Sequence, residues 1–438
     1  MRRTPAEPER RAPSPRSVIV PPRREPGGAP RWLRRGAFGV ALLALVAAVP
    51  LLARVGWRHA IAANSEAAAA SAADVNAPGY RAVVSPTPTL LVVHRSPEGR
   101  LAGVSMLART GDDSGAVLLI PTSLVVDGGS GRARTLASVF AAGGVDEVGA
   151  AVARALHLGF DRVVALDAAD WASAAGATVV VVDNPDELSG PDGEVRFETG
   201  RLTLRAEDIE PYLRLRKASE EDRGRLFRND LLWTAWMKAL AKAPADPTAD
   251  PFTTMLHNLA KGTVEVVELP VMPADVTMSA KVETGVAATA GSGQGVGGVG
   301  ERETYYVVDA DLMTALVSMI VPFPSAARPG DRVRVRLLDG VGDQAAALSV
   351  SAKLVPAGAE ITVFGNANRF DYANTTVEFF DEAQRNHATT MAAALGVTSA
   401  VFNPTGDATV DVSVIVGRDL AGPGVDPKVV APATTTGR

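Results

Sequence analysis

Cysteine is absent from the 438 residues, which excludes disulfides, thiolate metal sites and cysteine nucleophiles together. A chain without disulfides must be held by its cores alone. Aromatic residues are sparse at 5%, and the net charge is only −5, so no whole-molecule field draws the chain to nucleic acid. Histidine is scarce as well. His59, His94, His157, His257 and His387 show no metal-ligating spacing, and each reads as structural or exposed. No nucleophile elbow and no Walker loop is found. The length suggests two or three domains.

The charges that are present are unevenly placed. Residues 1–35 are rich in proline and arginine, opposed only by Glu7, Glu9 and Glu25. Such a segment cannot bury enough apolar surface to offset its ordering entropy, and it reads as a disordered tail. Gly36 to Ala53 then run without a charge, led by Leu42, Leu43, Leu45, Val49, Leu51 and Leu52. That length lies near the lower limit for crossing ~30 Å of hydrocarbon. Trp32 and Trp57 flank the run, as interfacial rings do. A single transmembrane helix over 36–56 is therefore expected, with the N-terminus in the cytoplasm and the bulk of the chain beyond the membrane. The rival is a cleaved signal peptide with Ala60-Ile61-Ala62 as its small-residue site, and the long leading tail favours the anchor. Residues 57–84 are alanine-rich and read as a stalk.

Beyond the stalk the pattern predicts an α/β sandwich. Residues 90–93, 116–120, 162–166 and 178–182 read as short strands, the last as a buried parallel one. Residues 133–158 read as a helical region interrupted near Gly143-Gly144, 207–216 as a helix and 222–242 as a longer one. Residues 285–300 are glycine-rich and uncharged. They contain a formal G-x-G-x-x-G at 293–298, yet no strand leads in and no helix leads out, so the stretch reads as a flexible loop. Arg328-Pro329-Gly330 separates a domain over 85–326 from a compact unit over 328–420. In that unit the order strand 332–337, helix 344–354, strands 360–364 and 375–380, helix 386–395 and strand 410–416 is β-α-β-β-α-β, a split βαβ sandwich. Residues 421–438 read as disordered.

One segment carries candidate chemistry: Arg214 and Arg216, then Asp222-x-x-Arg225-x-x-Arg228-Asn229. On a helix turning ~100° per residue, Asp222, Arg225 and Asn229 fall within about 60° of one another, with Arg228 on the adjoining edge. A carboxylate among guanidinium groups suits pyrophosphate, because arginine presents a planar donor fork to phosphate oxygens. The same pattern also reads as a solvated charged face laced with i,i+3 and i,i+4 pairs.

These residues resemble the LytR–CpsA–Psr (LCP) family, membrane-anchored phosphotransferases of Gram-positive envelopes. Its paired arginines and D-x-x-R-x-x-R-Q pattern match Arg214, Arg216, Asp222, Arg225 and Arg228, with Asn229 in the Gln place. Phe140-Ala141-Ala142-Gly143-Gly144 resembles a further family element, and residues 164–182, with Asp167 and Trp171, resemble its strand–helix–strand unit. Residues 328–420 resemble the LytR C-terminal-type domain. Two departures stand out. The family's metal-binding Asp after the first strand has no counterpart in Gly99–Met106, and its Pro-Arg-Asp element is replaced by Pro121-Thr122-Ser123. Arg132 and Arg134 cover the next basic position.

The resemblance implies an extracytoplasmic LCP-like domain with the pyrophosphate-facing arginines largely retained and the metal-binding carboxylates lost. Three readings stay open. The first is a protein that binds polyprenyl-phosphate lipid, or an envelope partner through 328–420, with reduced or no catalysis. The second is an active phosphotransferase attaching a wall glycopolymer to peptidoglycan, which alone would call for Mg2+. The third is a scaffold. No other cofactor and no nucleic-acid partner is expected.

Overall fold

The computed structural model describes residues 74–111, 113–127, 133–190, 192–217, 220–244, 249–274, 304–406 and 409–421. The tail at 1–35, the membrane segment at 36–56, most of the stalk, the glycine-rich loop at 285–300, residues 422–438 and Arg132 lie outside these.

The first domain is a mixed α/β sandwich. In chain order the strands are β1 (Arg81–Val83), which joins the second sheet, then β2 (Thr89–Arg95), β3 (Leu101–Gly111), β4 (Ser114–Ile120), β5 (Arg162–Leu166), β6 (Val180–Asn184), β7 (Gly200–Leu204) and β8 (Thr263–Glu268). The main sheet has the order β8-β4-β3-β2-β5. Its outer pairs, β8 with β4 and β2 with β5, are parallel, and β3 is antiparallel to both neighbours.

Both faces of that sheet are covered, so β2 and β4 are apolar without alternation. Helix α1 (Leu136–Leu156) covers one face, and α2 (Ala168–Ala175), α3 (Ala206–Arg214), α4 (Asp222–Leu240) and α5 (Pro251–Ala260) cover the other; α6 (Ala310–Ile320) joins α1. Successive residues divide between the two cores: Leu90 and Val92 pack with Trp171, Trp233 and Phe252, while Leu91 and Val93 pack with Val148, Val152 and Leu316. Trp171 is the hub of the first core, with ring centroids 5.9 Å from Trp233 and 5.3 Å from Phe252. Edge-on pairs of this kind add ~0.5–1.5 kcal/mol beyond their buried area.

The interruption expected near Gly143-Gly144 is present. Gly144 has φ 70° and ψ −152° inside α1, a conformation open to glycine and strained for other residues. Among the described residues α1 is also the one helix long and apolar enough to cross a membrane. Half of that window is buried in the domain core, as befits a core helix.

Two expectations are corrected, and one strand carries no clear sequence signal. The segment at 178–182 is not a buried parallel strand: β6 pairs antiparallel with β7 in a separate ribbon, and Val179 and Val181 are exposed. The 11-residue β3 went unread, because Gly103, Ser105 and Arg109 interrupt its apolar run. The end of the stalk is not a spacer, since Arg81–Val83 is a strand of the C-terminal sheet.

That second sheet adds β9 (Val333–Asp339), β10 (Ala359–Asn366), β11 (Thr376–Phe379), β12 (Ala400–Phe402) and β13 (Val412–Val416), in the order β1-β10-β9-β13-β11-β12. Helices α7 (Gln344–Leu354) and α8 (Arg385–Leu395) pack on it. The unit therefore has two strands more than the six-element order read from sequence: β12 within it, and β1 from outside it. Arg332 joins the domains, donating through Nη1 to His157 O at 2.6 Å and through Nη2 to Val355 O at 2.6 Å.

Candidate functional site

Helix α4 begins at Asp222 and α3 ends at Arg214, so the short connection between them brings the two arginine groups together. Asp222 lies in the first turn of α4, where the helix dipole favours a negative charge. Its carboxylate is the centre of a buried network. Oδ1 accepts from Arg216 Nη2 at 2.7 Å, Arg225 Nη2 at 2.7 Å and Arg225 Nε at 3.2 Å. Oδ2 accepts from the Ser123 backbone N–H at 3.0 Å, Ser123 Oγ at 2.9 Å and Thr122 Oγ1 at 3.1 Å. Burial alone would raise the Asp222 pKa, but the two guanidinium charges and the Ser123 N–H outweigh it and hold the carboxyl well below its usual range.

The helical-face geometry read from sequence is met: Asp222, Arg225, Arg228 and Asn229 are all buried on one side of α4. The solvated-face alternative is thereby corrected, because this side packs inward. Arg225 Nη1 also donates to Ala102 O at 2.6 Å. Arg228 pairs with Glu220 and donates to Leu215 O at 2.5 Å, while Asn229 Nδ2 donates to Leu213 O at 3.3 Å. The side chains of Arg225 and Arg228 are 1% and 0% exposed. Those of Arg216 and Arg214 form the rim, at 35% and 22%. Arg134 lies in the short strand before α1 and donates through Nη2 to Ser138 O at 3.0 Å.

The partners of these arginines were not foreseen. Thr122 and Ser123, which replace the acid-bearing element of the resembled family, donate to Asp222 instead. Glu210, one turn before Arg214 on α3, accepts from Arg214 Nε at 2.7 Å and lies 3.0 Å from His94 Nε2. Burial pushes the His94 pKa down, although Glu210 opposes the shift. Burial would raise the Glu210 pKa, and hydrogen bonds from His94 and Arg214 reverse that and lower it. The spacing of Glu210 and Arg214 was visible as an i,i+4 pair; the contact with His94 spans the fold and left no local signal.

The arrangement does not suit Mg2+. That ion binds one or two carboxylates, with water or phosphate filling the other positions. Here the single central carboxylate is already shared between two guanidinium groups, whose charges would repel a cation. Among the described residues no group of three or more His, Asp or Glu side chains is placed to hold a metal.

Comparison with known proteins places the C-terminal end. Residues 332–420 match the family described as LytR cell envelope-related transcriptional attenuator. That match is confined to the C-terminal unit. No curated protein matches the chain. Among solved structures, TagV of B. subtilis is similar at 14% identity and a TM-score of 0.39, covering 54% of this chain and 97% of its own. TagT of B. subtilis is 17% identical with a TM-score of 0.38, covering 54% and 90%. A LytR-Csp2A-Psr enzyme from Actinomyces oris is 16% identical with a TM-score of 0.34, covering 46% and 89%.

Proposed function

We propose that this chain is an LCP-type cell-envelope protein, anchored by residues 36–56, that binds the phosphate of a polyprenyl-linked lipid or wall glycopolymer precursor without metal-assisted transfer. The observation that carries the proposal is the state of Asp222. Both of its oxygens are engaged by Arg216, Arg225, Thr122 and Ser123, so this carboxylate is a structural counter-ion. The motif resemblance over Arg214–Asn229 and the matched domain at 332–420 support the envelope role.

In this reading the buried arginines set the positive potential and the rim arginines meet the ligand. Arg225 and Arg228 are held by protein acceptors. Arg216 keeps about a third of its side chain exposed at the edge of the network. Arg214 stands beside it, oriented by Glu210. Such a site supplies charge complementarity to a phosphate.

The test uses the full-length protein in detergent or nanodiscs. Polyprenyl phosphate co-purifies and saturates binding, Arg216→Ala weakens that binding about tenfold, and Mg2+ with polyprenyl pyrophosphate gives no turnover. Metal-dependent turnover would restore a working transferase. Absence of lipid binding would leave the arginines as structural parts of a scaffold, a reading favoured by the complete burial of Arg225 and Arg228.

A further inference from the structure

The C-terminal sheet is completed by residues that lie outside the domain's own span. β1 pairs antiparallel with β10 in the register Arg81 with Gly365, Ala82 with Phe364 and Val83 with Val363. The contact extends upstream as a loop of chain seated on polar side chains. Asn366, 1% exposed, donates through Nδ2 to Val75 O at 3.0 Å and to Ala77 O at 2.8 Å, and Gln344 Nε2 donates to Val75 O at 2.9 Å. Backbone bonds lock the rest: Gly79 N to Ala367 O at 2.8 Å, Asn366 N to Tyr80 O at 2.8 Å and Val84 N to Thr362 O at 2.9 Å.

Every one of these bonds reads main chain rather than side chain. Gly365 shows how close the approach is, because a Cβ there would lie 2.1 Å from Tyr80 O and 2.8 Å from Arg81 Cα. Without β1, the eight-residue β10 would be an open edge with unpaired N–H and C=O groups. Adding an extended segment to such an edge is a recurring mode of peptide capture.

We infer that the C-terminal domain is a peptide-binding module. Its slot, formed by the β10 edge with Asn366 and Gln344, takes an extended main chain and is filled in cis by residues 75–84. The occupant is the segment that follows the expected membrane helix. The first domain begins only after the strap has crossed the module, where Thr87 N donates to Phe323 O at 2.8 Å. This inference stands apart from the lipid reading, since no residue of the arginine network takes part.

The full-length chain offers a direct test, because it contains no cysteine of its own. In a Val83→Cys, Val363→Cys variant, mild oxidation gives an intramolecular disulfide and a monomer on a non-reducing gel. Failure to form it, or formation only between copies, overturns the cis assignment. Gly365→Val removes the space the strap occupies, and amide exchange across 79–84 rises at least tenfold while the β2–β5 ladder keeps its protection. Unchanged exchange at 79–84 overturns the slot. Should Gly365→Val lose protection throughout, the disulfide result decides.

Discussion

Asp222 concentrates more consequence than any other side chain in the first domain. Removing its charge leaves the guanidinium groups of Arg216 and Arg225 facing each other, Arg225 fully buried, so Asp222→Asn should lower stability by about 3–5 kcal/mol. Chemical denaturation of the full chain measures this, and a loss under 1 kcal/mol would show the network to be energetically idle. The pH dependence has a definite sign. A carboxyl held low in the folded state stabilises the fold fully above its unfolded pKa, ~3.9, and that contribution is lost as pH falls below it toward the folded value. Asp222→Asn should therefore flatten the acid limb of the stability curve below about pH 4. His94 acts the same way in a higher window. Its folded pKa is lowered, so the unfolded chain binds the extra proton and stability declines as pH drops below ~6.5. His94→Gln should remove that slope, which thermal melts between pH 5 and 7 would detect. At this scale the sequence revealed one half of the site. The D-x-x-R-x-x-R-N spacing placed Asp222, Arg225 and Asn229 on one face because helical periodicity is local. Their partners Ala102, on β3, and Thr122 and Ser123, in the turn after β4, lie about a hundred residues upstream, and nothing local announces them.

Elements were legible where one constraint dominated. Strand β5 follows directly from a bounded apolar run, and the break in α1 follows from two adjacent glycines. Gly144→Ala should cost at least ~1 kcal/mol, since φ near +70° with ψ near −150° is strained for any residue with a Cβ. An unchanged melting temperature would mean that α1 can straighten there. Misreadings arose where two structures share one composition. The valine run at 179–182 suits a buried parallel strand as well as an exposed ribbon, and only pairing with β7 decides between them. Strands of three residues such as β1 and β12 carry too few side chains to leave a period.

At the scale of the whole molecule, Arg332 bridges the two domains. Arg332 is buried and spends its guanidinium on the carbonyls of His157, Val355 and Ala359. Arg332→Ala should uncouple the domains, so that calorimetry resolves two melting transitions where the parent shows one. A single transition merely shifted downward would assign Arg332 to one domain's stability alone. The pairing of Ala82 with Phe364 also governs the order of events during synthesis. A ribosome delivers the strap long before it delivers β10, so the C-terminal sheet cannot close until almost the whole polypeptide has emerged. This is a contact of very long sequence separation, and closures of that kind are slow. The strap must wait, unpaired and exposed to proteases and chaperones, until the far end of the chain arrives to receive it.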